Sequence, residues 1–307
     1  MDVLVVNAGS TSLKLHLVSG DDAHRVDTFV PADAVGHRIV HGGPRFDSPR
    51  LVDDELERAI EALTPLAPLH NAPALDALRE ARAALPDVPH VAVFDTAFHR
   101  TMPPAASTYA IPERWRDEWE VHRYGFHGIN VQWVSSQVRV PRLVVCHLGG
   151  GCSVTAVRDG RSADTTMGFS PLEGVPMATR SGSVDPEALL YLLREGKLST
   201  AELGRQLEEE SGLAGLSGGG TGDVREASAL ALDVFVHRVA AAVAAMATAC
   251  GGVDALAFSG GIGEHAHALR EQIVERVRFL GDFRVEVVPA REELVIAAET
   301  RRLLEAK

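Results

Sequence analysis

The sequence has few aromatic residues and few cysteines. Phe, Trp and Tyr make up only 5% of the 307 residues, so the chain lacks the aromatic platform on which single-stranded nucleic acids stack. Its three cysteines, Cys146, Cys152 and Cys250, are an odd number without framework spacing. This usage predicts a reducing compartment, the cytoplasm, and the 13 histidines show no zinc-type spacing with the cysteines.

Positive charge is scarce as well. The 30 Lys and Arg residues stand against 42 Asp and Glu residues, which gives a formal net charge of -12, and no basic run is present. A nucleic-acid-binding protein usually carries a basic face, so we expect no nucleic acid partner. A polyanionic ligand would have to be held by a local positive site.

Signals for export and membrane insertion are also missing. Met1 to Val6 runs straight into an apolar strand pattern, without a basic segment or a cleavage site. The longest apolar stretch, Val239 to Cys250, is shorter than the about 20 residues that span a bilayer. The sequence therefore predicts no membrane association.

A strand pattern occurs twice in the chain. Val3–Val6 is a continuous apolar run, which is followed by a Gly/Ser turn and by alternating apolar and polar residues to Leu17, as in a β-hairpin. The same order returns in Leu143–Val157. Two such units half a chain apart indicate an internal duplication of an α/β layer, with two unrelated hairpins as the alternative.

Helix and strand signals alternate in the last third of the chain, which favours an α/β fold. In order, the pattern predicts a helix from Ser228 to Cys250, a strand over Val253–Ser259, a turn at Gly260–Gly263 that leads into a helix ended by Gly281, a strand over Arg284–Val288 and a helix over Glu292–Leu304.

Glycine clusters suggest a phosphate-rich ligand. Glycine lets backbone amides approach an anion closely, although any one cluster is more often only a turn. No Walker A pattern is present, so the chain is not a P-loop enzyme. The clusters are Asn7–Ser12, His41–Gly43, His147–Gly151, Ser217–Asp223 and Ser259–Gly263.

One of these clusters leaves a second function open. Gly261–Ala266 fits the dinucleotide-binding fingerprint, and Glu286 follows about 20 residues on. This interpretation predicts an NAD(P)-dependent oxidoreductase. Against it, the fingerprint stands alone near the C-terminus without the usual following half-domain.

Eight ordered blocks resemble the motifs of the acetate kinase family, from residue 1 to about residue 300. They are Asn7–Lys14, Gly36–Gly43, Leu66–Asn71, Phe94–His99, Arg123–Gly128, Asp164–Arg180, Ser259–Glu264 and Glu292–Leu294.

This resemblance implies the α/β fold of the sugar kinase, heat-shock protein and actin superfamily. That fold has two duplicated ribonuclease-H-like domains with an interdomain active-site cleft. Residues 1–95 and the C-terminal helix 292–307 would form an N-terminal domain for the acyl substrate and phosphate, and residues 96–291 a nucleotide-binding domain. The resemblance also implies a homodimer.

The implied reaction is the reversible transfer of the ATP γ-phosphoryl group, with Mg²⁺, to the carboxylate of a short-chain acid, acetate first. An acid with a pKa of about 4 to 5 is already ionised at neutral pH, so the nucleophile needs no general base. The remaining task is to bring two anions together and to stabilise the charge on the transferring group, which suits arginines and a metal ion.

The resemblance also implies the site residues. The catalytic residues would be Arg38, His70, Asp95, His127 and Arg180. The acid would contact Arg38 and an apolar pocket of Val40, Leu69, Phe126 and Pro171. Mg²⁺ would be organised by Asn7 and Glu292. The nucleotide would contact Ser10, Ser12, Lys14, His147, Gly149, Gly150, Gly151, Asp223, Val224, Arg225, Gly260, Gly261, Ile262 and Gly263.

The chain departs from the family pattern in places. Only about twenty residues separate Lys14 from Gly36, and the segment between His127 and Leu143 is also short. Gly150 replaces an asparagine at a phosphate-facing turn. Taken singly, Arg38 and Arg180 also fit salt-bridged arginines, so a degenerate ATP-binding relative without acyl transfer stays an alternative.

Overall fold

The structure is a computed structural model, and it describes residues 1–8, 13–66 and 68–306, except for the side chains of Pro65, Pro68, Leu69 and His70. The strands are β1 Asp2–Ala8, β2 Leu13–Ser19, β3 Asp22–Val26, β4 Ala34–Ile39, β5 Arg50–Leu51, β6 His90–Phe94, β7 Arg142–Leu148, β8 Cys152–Arg158, β9 Arg161–Thr165, β10 Ala255–Ser259 and β11 Arg284–Val287. The α-helices are α1 Asp54–Ala62, α2 Pro68–Ala84, α3 Pro104–Ser107, α4 Glu113–Asp117, α5 Gly128–Gln137, α6 Pro186–Arg194, α7 Thr200–Glu209, α8 Gly212–Leu216, α9 Ala229–Cys250, α10 Gly260–His265, α11 His267–Arg276 and α12 Glu292–Glu305. Short 3₁₀ turns cover Thr64–Leu66, Ala97–Thr101 and Arg278–Leu280.

Contacts divide the chain into two compact units. Unit 1 is Met1–Arg100, Ile111–Trp133 and Ala290–Lys307, and unit 2 is Thr101–Ala110 and Val134–Pro289. The sequence placed all of 96–291 in the second domain, whereas the contacts group Ile111–Trp133 with the N-terminal segment. The division of acyl and nucleotide chemistry between two domains stays a prediction.

Unit 1 is built on a mixed sheet with the strand order β3-β2-β1-β4-β6-β5. β1 is antiparallel to β2 and parallel to β4, and β4 is parallel to β6. Helices α1 and α2 pack on one face of this sheet and α12 packs on the other. Because β1 is covered on both faces, Val3 to Val6 are all buried, which explains their continuous apolar run.

Unit 2 repeats this topology. Its sheet has the order β11-β10-β7-β8-β9, in which β7 is antiparallel to β8 and parallel to β10. Both sheets therefore contain an antiparallel meander of three strands followed by two parallel strands. The strand order is β3-β2-β1-β4-β6 in unit 1 and β9-β8-β7-β10-β11 in unit 2. The internal duplication predicted from the two hairpins is confirmed.

The 22-residue helix α9 forms much of the core of unit 2. Ser228 caps its first turn by accepting a hydrogen bond from the Ala231 amide, and Gly251 ends it with a left-handed φ of 74°. The sequence considered only the apolar stretch Val239 to Cys250, which is too short to cross a membrane. The whole helix α9 is longer, and by length and composition it could cross one. It packs instead on β7, β8 and β9, with Phe235 and Val243 buried. We therefore interpret α9 as a core helix of unit 2.

All three cysteines are free and buried in unit 2. Cys146 lies on β7, Cys152 on β8, and Cys250 is the last residue of α9. Burial raises the pKa of each thiol, to about 12 for Cys152 and to about 11 for Cys250. Thiols of this kind are weak nucleophiles and pack as small apolar side chains.

The segment after β10 differs from its predicted form. The sequence predicted a turn at Gly260–Gly263 that leads into one helix ended by Gly281. In the structure the helix α10 already begins at Gly260, and α11 and a 3₁₀ turn follow after a break at Ala266. Arg270 donates hydrogen bonds to the carbonyl oxygens of Gly263 and Glu264 at 2.9 and 2.8 Å, which stabilises the end of α10. The strand and the final helix predicted beyond this segment are present as β11 and α12.

Candidate active site

Arg38 and Asp95 form a buried ion pair in unit 1. Arg38 lies near the carboxyl end of β4, and Asp95 follows directly after the neighbouring parallel strand β6. Arg38 Nε and Nη2 donate to Asp95 Oδ2 at 3.0 and 2.5 Å. The Asp95 side chain is fully buried and that of Arg38 is 14% exposed. Two predicted catalytic residues are thus brought together by the parallel pairing of their strands.

Asn7 and Glu292 extend this pair into a network. Asn7 stands near the carboxyl end of β1, beside β4, and Glu292 is the first residue of α12. Arg38 Nη1 donates to Asn7 Oδ1 at 3.2 Å and lies 3.9 Å from Glu292 Oε2. Asn7 Nδ2 donates to Glu292 Oε2 at 2.8 Å. The two predicted magnesium residues therefore lie beside the predicted catalytic pair.

The charges in this network do not balance. Burial lowers the pKa of Arg38, but the carboxylates of Asp95 and Glu292 outweigh it, so the pKa is raised and the guanidinium stays charged. Burial raises the pKa of Asp95, and Glu292 adds to this while Arg38 opposes it. Two carboxylates face one guanidinium, which leaves an excess of negative charge that a cation would stabilise.

His127 lies on a tight turn against Asp95. Its backbone φ is 59°, in the left-handed region that residues other than glycine seldom adopt. A Cβ atom at the next residue, Gly128, would lie 2.1 Å from the Asp95 carbonyl oxygen, so the two backbones are in close contact. The Ile129 amide points at Asp95 Oδ1 at 3.4 Å. The predicted catalytic residue His127 is therefore placed beside Asp95.

Two predicted pocket residues, Val40 and Phe126, are buried in unit 1. The His41 ring meets the Phe126 ring edge-on, with 5.3 Å between centroids. The His41 amide donates to Asn71 Oδ1 at 3.0 Å, and Asn71 Nδ2 donates to the His41 carbonyl at 3.1 Å. Sequence reasoning assigned no role to His41 or Asn71. Their position as polar residues inside motif blocks is the signal that could have found them.

Some predicted residues lie outside the described structure. Ser10 and Ser12 fall in the undescribed segment 9–12, and the same holds for the side chains of Leu69 and His70. Lys14 is described: it pairs with Asn7 in the β1–β2 register and is exposed.

In unit 2, two predicted glycine turns meet at the ends of neighbouring parallel strands. His147 on β7 pairs with Ser259 on β10, so the turn 147–151 lies beside Gly260–Gly263, which form the first turn of α10. A Cβ atom at Gly149 would lie 3.7 Å from the Gly261 amide nitrogen. Gly260 has φ of 80° and its Cβ would lie 2.8 Å from the Leu148 carbonyl oxygen, so only glycine fits there.

Arg180 and the loop 217–225 lie next to these turns. The Ala178 amide donates to the Gly150 carbonyl at 3.4 Å, and a Cβ atom at Gly222 would lie 2.3 Å from the Ala178 carbonyl oxygen. Arg180 Nε lies 3.1 Å from Glu208 Oε2 on α7, so Arg180 is salt-bridged, as the sequence left open, to a partner that the sequence did not predict. The predicted catalytic arginine of unit 2 is therefore beside the predicted nucleotide turns.

The predicted adenosine residues form the outer part of this region. Asp223 accepts hydrogen bonds from Arg225 Nε at 3.0 Å, and these bonds lower the pKa of Asp223 to about 2. The Arg225 side chain is 85% exposed, while Val224 and Ile262 are half-buried and Gly263 is buried. The exposed Arg225 guanidinium, paired with Asp223, therefore lies in a region that also contains the half-buried apolar residues Val224 and Ile262.

Pro171 is buried in unit 2, in the loop that precedes Arg180. Tyr109 fixes this loop, because its hydroxyl accepts a hydrogen bond from the Phe169 amide at 2.9 Å and donates to the Glu173 carboxylate. The predicted site residues of each unit are thus gathered within that unit, with Pro171, Arg180 and the glycine turns in unit 2.

Comparison with known proteins agrees with this arrangement. The family model described as the acetokinase family matches residues 23–297. The chain belongs to the acetokinase family. This confirms the resemblance drawn from the eight sequence blocks.

Individual relatives show the same likeness over most of the chain. A protein of Deinococcus deserti named acetate kinase is 45% identical over 89% of this chain and 79% of its own length. An acetate kinase of Thermotoga maritima is 35% identical over 99% of both chains. The crystal structure of a propionate kinase from Francisella tularensis superposes with a TM-score of 0.91 at 32% identity, covering 98% of this chain and 99% of that one.

The family member described here is internally shorter than the Thermotoga relative. Their alignment extends over 399 positions and covers 99% of each chain, although this chain has 307 residues. The sequence predicts that the connection between Lys14 and Gly36 is one such place, and in the structure it holds only the rest of β2, the strand β3 and a link to β4.

Neither rival interpretation of the sequence is supported. Gly261–Ala266 lies in a chain that matches the acetokinase family on both sides of this segment, so the dinucleotide fingerprint is a chance match. A degenerate relative would not need the Arg38–Asp95 pair, which is intact.

Proposed function

We propose that the protein transfers the γ-phosphoryl group of ATP to the carboxylate of a short-chain acid, reversibly, and that acetate is its first substrate. Membership of the acetokinase family supports this reaction, and the relatives named above are acetate and propionate kinases. The structural observation that carries the proposal is the network of Asn7, Arg38, Asp95 and Glu292.

Arg38 is the group best suited to receive the anionic substrate. The attacking carboxylate is ionised at neutral pH, so it needs a positive partner and no proton acceptor. Asp95 holds the guanidinium through Nε and Nη2, which fixes its plane. We infer that Asp95 positions Arg38, and that His127, beside Asp95, faces the charge that develops on the transferring group.

The donor set fits a magnesium ion. Glu292 and Asp95 carry carboxylates and Asn7 carries an amide oxygen, and their excess negative charge suits a hard cation. Mg²⁺ usually takes one or two protein carboxylates and completes its shell with phosphate and water, and the described residues hold no cluster of three His, Cys, Asp or Glu side chains that could form a full cage. Asn7 and Glu292 would hold the ion, which would neutralise phosphate charge.

The nucleotide is proposed to bind the glycine turns of unit 2. The Gly149 amide donates within the turn to the Gly151 carbonyl at 3.0 Å, whereas a Cβ atom at Gly150 or Gly261 would meet no atom of the described residues within 4 Å beyond its chain neighbours, so phosphate oxygens can approach the backbone at these two residues without side-chain obstruction. Arg180 adds a cation at the same place. On the family resemblance, Asp223, Arg225, Gly261 and Ile262 would hold the adenosine.

The acyl pocket is proposed to include Val40, Leu69, Phe126 and Pro171. Of these, Val40 and Phe126 are buried in unit 1, which favours a small alkyl group over a polar one, and Pro171 is included on the family resemblance. His70 stays a proposed catalytic residue on the family resemblance alone. The cytoplasm and a homodimer are proposed on the same ground, and sedimentation at micromolar concentration would reveal a dimer as twice the chain mass of 32.8 kDa.

Trapping the product with hydroxylamine tests the reaction. With ATP and Mg²⁺, acids of two to five carbons should give an acyl hydroxamate, with acetate or propionate preferred. Arg180→Ala should lower turnover about a hundredfold or more, because it removes a group that stabilises the transferring charge.

Arg205→Ala is the matched control. Arg205 lies on the same unit, in α7, and forms an exposed ion pair with Glu210, so its loss should leave turnover within about twofold. Absence of hydroxamate with every acid, or equal effects of the two substitutions, would contradict the proposal.

A further inference from the structure

His99 is a buried histidine that the reaction proposed above does not use. It lies in the 3₁₀ turn that follows Asp95 and Thr96, and its side chain is 1% exposed. Its Nε2 atom lies 2.9 Å from the carbonyl oxygen of Phe126, the residue before His127. A carbonyl oxygen can only accept, so Nε2 carries the proton and donates it.

The turn that receives this hydrogen bond is conformationally demanding. Gly125 and His127 both have left-handed backbones, with φ of 77° and 59°. A histidine in this region is less stable than in an ordinary backbone, so the conformation persists only where its surroundings fix it.

Three contacts from one short segment fix it. Asp95 Oδ1 lies 3.4 Å from the Ile129 amide, and the Asp95 carbonyl oxygen is in close contact with Gly128. His99 donates a hydrogen bond to the Phe126 carbonyl oxygen. The contacts therefore lie on both sides of His127. Of the three, only the His99 contact acts on the residue before it.

Burial keeps His99 in the neutral form. Burial lowers its pKa to about 4, and the nearby Arg123 acts in the same direction, while the hydrogen bond to Phe126 opposes them. A neutral donor of fixed tautomer offers a constant hydrogen bond across the working pH range.

We propose that His99 is a positioning residue, which holds the Phe126 carbonyl and so fixes the strained turn that aims His127 at the reacting phosphoryl group. The phosphoryl part of this inference depends on the proposed function. The structural part does not, since it concerns only how His99 holds the turn.

Kinetics of two His99 variants test the catalytic part. His99→Leu removes the donor and should lower kcat about 10- to 100-fold, with less than about a threefold change in KM for either substrate. His99→Gln keeps a side-chain N–H and should recover most of that loss. Ile60→Val, which trims a fully buried side chain elsewhere in unit 1, should leave kcat unchanged and controls for loss of packing.

A double-mutant cycle tests whether the effect passes through His127. In a His127→Ala background, His99→Leu should reduce kcat by less than about threefold further, because the group that it positions is already gone. Full additivity of the two substitutions, or failure of Gln to exceed Leu, would overturn the positioning role.

NMR of histidine-labelled protein separates this inference from the proposed function. The His127 ring signal, assigned with His127→Ala, should shift or broaden in His99→Leu and return towards its wild-type position in His99→Gln. An unmoved signal in both variants would overturn the inference even in an active enzyme. A wild-type protein that phosphorylates no acid would instead overturn the proposed function, and the NMR result would still decide how His99 acts on the turn.

Discussion

At the scale of single residues, the candidate site depends on polar groups that are buried and paired. Arg38 is positioned by Asp95 and Asn7, Arg180 by Glu208, and the His127 turn by His99. The two guanidinium groups and the Phe126 carbonyl oxygen before His127 each contact a side chain from a different element. Loss of a partner should therefore alter orientation before it alters binding.

Acid pH should destabilise the fold partly through His99. Its pKa is about 4 in the folded chain and about 6.5 when unfolded, so between these values the unfolded chain binds a proton that the folded chain does not. Stability therefore falls as pH falls through this window, by about 3 kcal/mol at most from this residue. We expect the free energy of unfolding, measured by urea denaturation at a series of pH values, to fall with decreasing pH in this window. In His99→Gln it should fall less steeply.

His237→Gln is the control for that measurement. His237 is exposed on α9, so its replacement removes a histidine without removing a buried one. An unchanged slope in His99→Gln, or equal changes in the two variants, would contradict the assignment.

The sequence predicted which residues lie close together better than it predicted their individual contacts. Arg38, Asp95, Asn7 and Glu292 were assigned to one site from their motif blocks, and the structure joins them in one network of hydrogen bonds and ion pairs. The contacts of His99 with Phe126 and of Arg180 with Glu208 were not predicted, because residues 27 or 28 apart in sequence leave no periodic signal of their contact.

At the scale of elements, strong local signals gave correct boundaries. Ser228 and Gly251 predicted both ends of α9, since a side-chain cap and a left-handed glycine act within one turn. The break at Ala266 was missed, because the apolar period continues across it while the deciding hydrogen bonds come from Arg270. A helix boundary can be predicted from the sequence where the groups that determine it are also close to it in sequence.

The turn between β7 and β8 should accept a larger residue at Gly150. This glycine is exposed, its φ is not left-handed, and a Cβ atom added to it would have no atom of the described residues within 4 Å beyond its chain neighbours. Gly150→Asn should therefore fold normally and add an amide donor for phosphate, which should lower KM for ATP about fivefold, from about 1 kcal/mol of hydrogen bonding.

Gly150→Ala is the matched variant, since it makes the same backbone change without the donor. The two variants should differ in KM for ATP and agree in thermal stability. A Gly150→Asn enzyme that binds ATP no better than Gly150→Ala would show that this residue does not face phosphate.

At the scale of the whole molecule, the same topology occurs twice with different side chains at the strand ends. In unit 1 the charged side chains of Arg38 and Asp95 stand at or just after the carboxyl ends of the parallel strands β4 and β6, and in unit 2 glycine-rich segments follow β7 and β10. This repetition was visible in the two hairpins. The assignment of Ile111–Trp133 to unit 1 was not, because membership of a unit depends on long-range contacts.

Nucleotide binding should stabilise the protein in a metal-dependent way. At ATP concentrations about 100 times Kd, with Mg²⁺, the stabilisation should be about 2.7 kcal/mol and should appear as a rise in Tm of about 5–10 °C. A chelator should remove most of this rise. A nicotinamide dinucleotide with Mg²⁺ is the control and should give little change.

The buried thiols of unit 2 have a practical consequence. Since Cys146, Cys152 and Cys250 are all buried with raised pKa values, native protein should resist alkylation by maleimides and iodoacetamide. A cysteine introduced at exposed Thr221, beside Asp223, would then be the one thiol that takes up a fluorophore. The natural chain is in this respect already a background for site-specific labelling, and a dye at that position could report nucleotide arrival in real time.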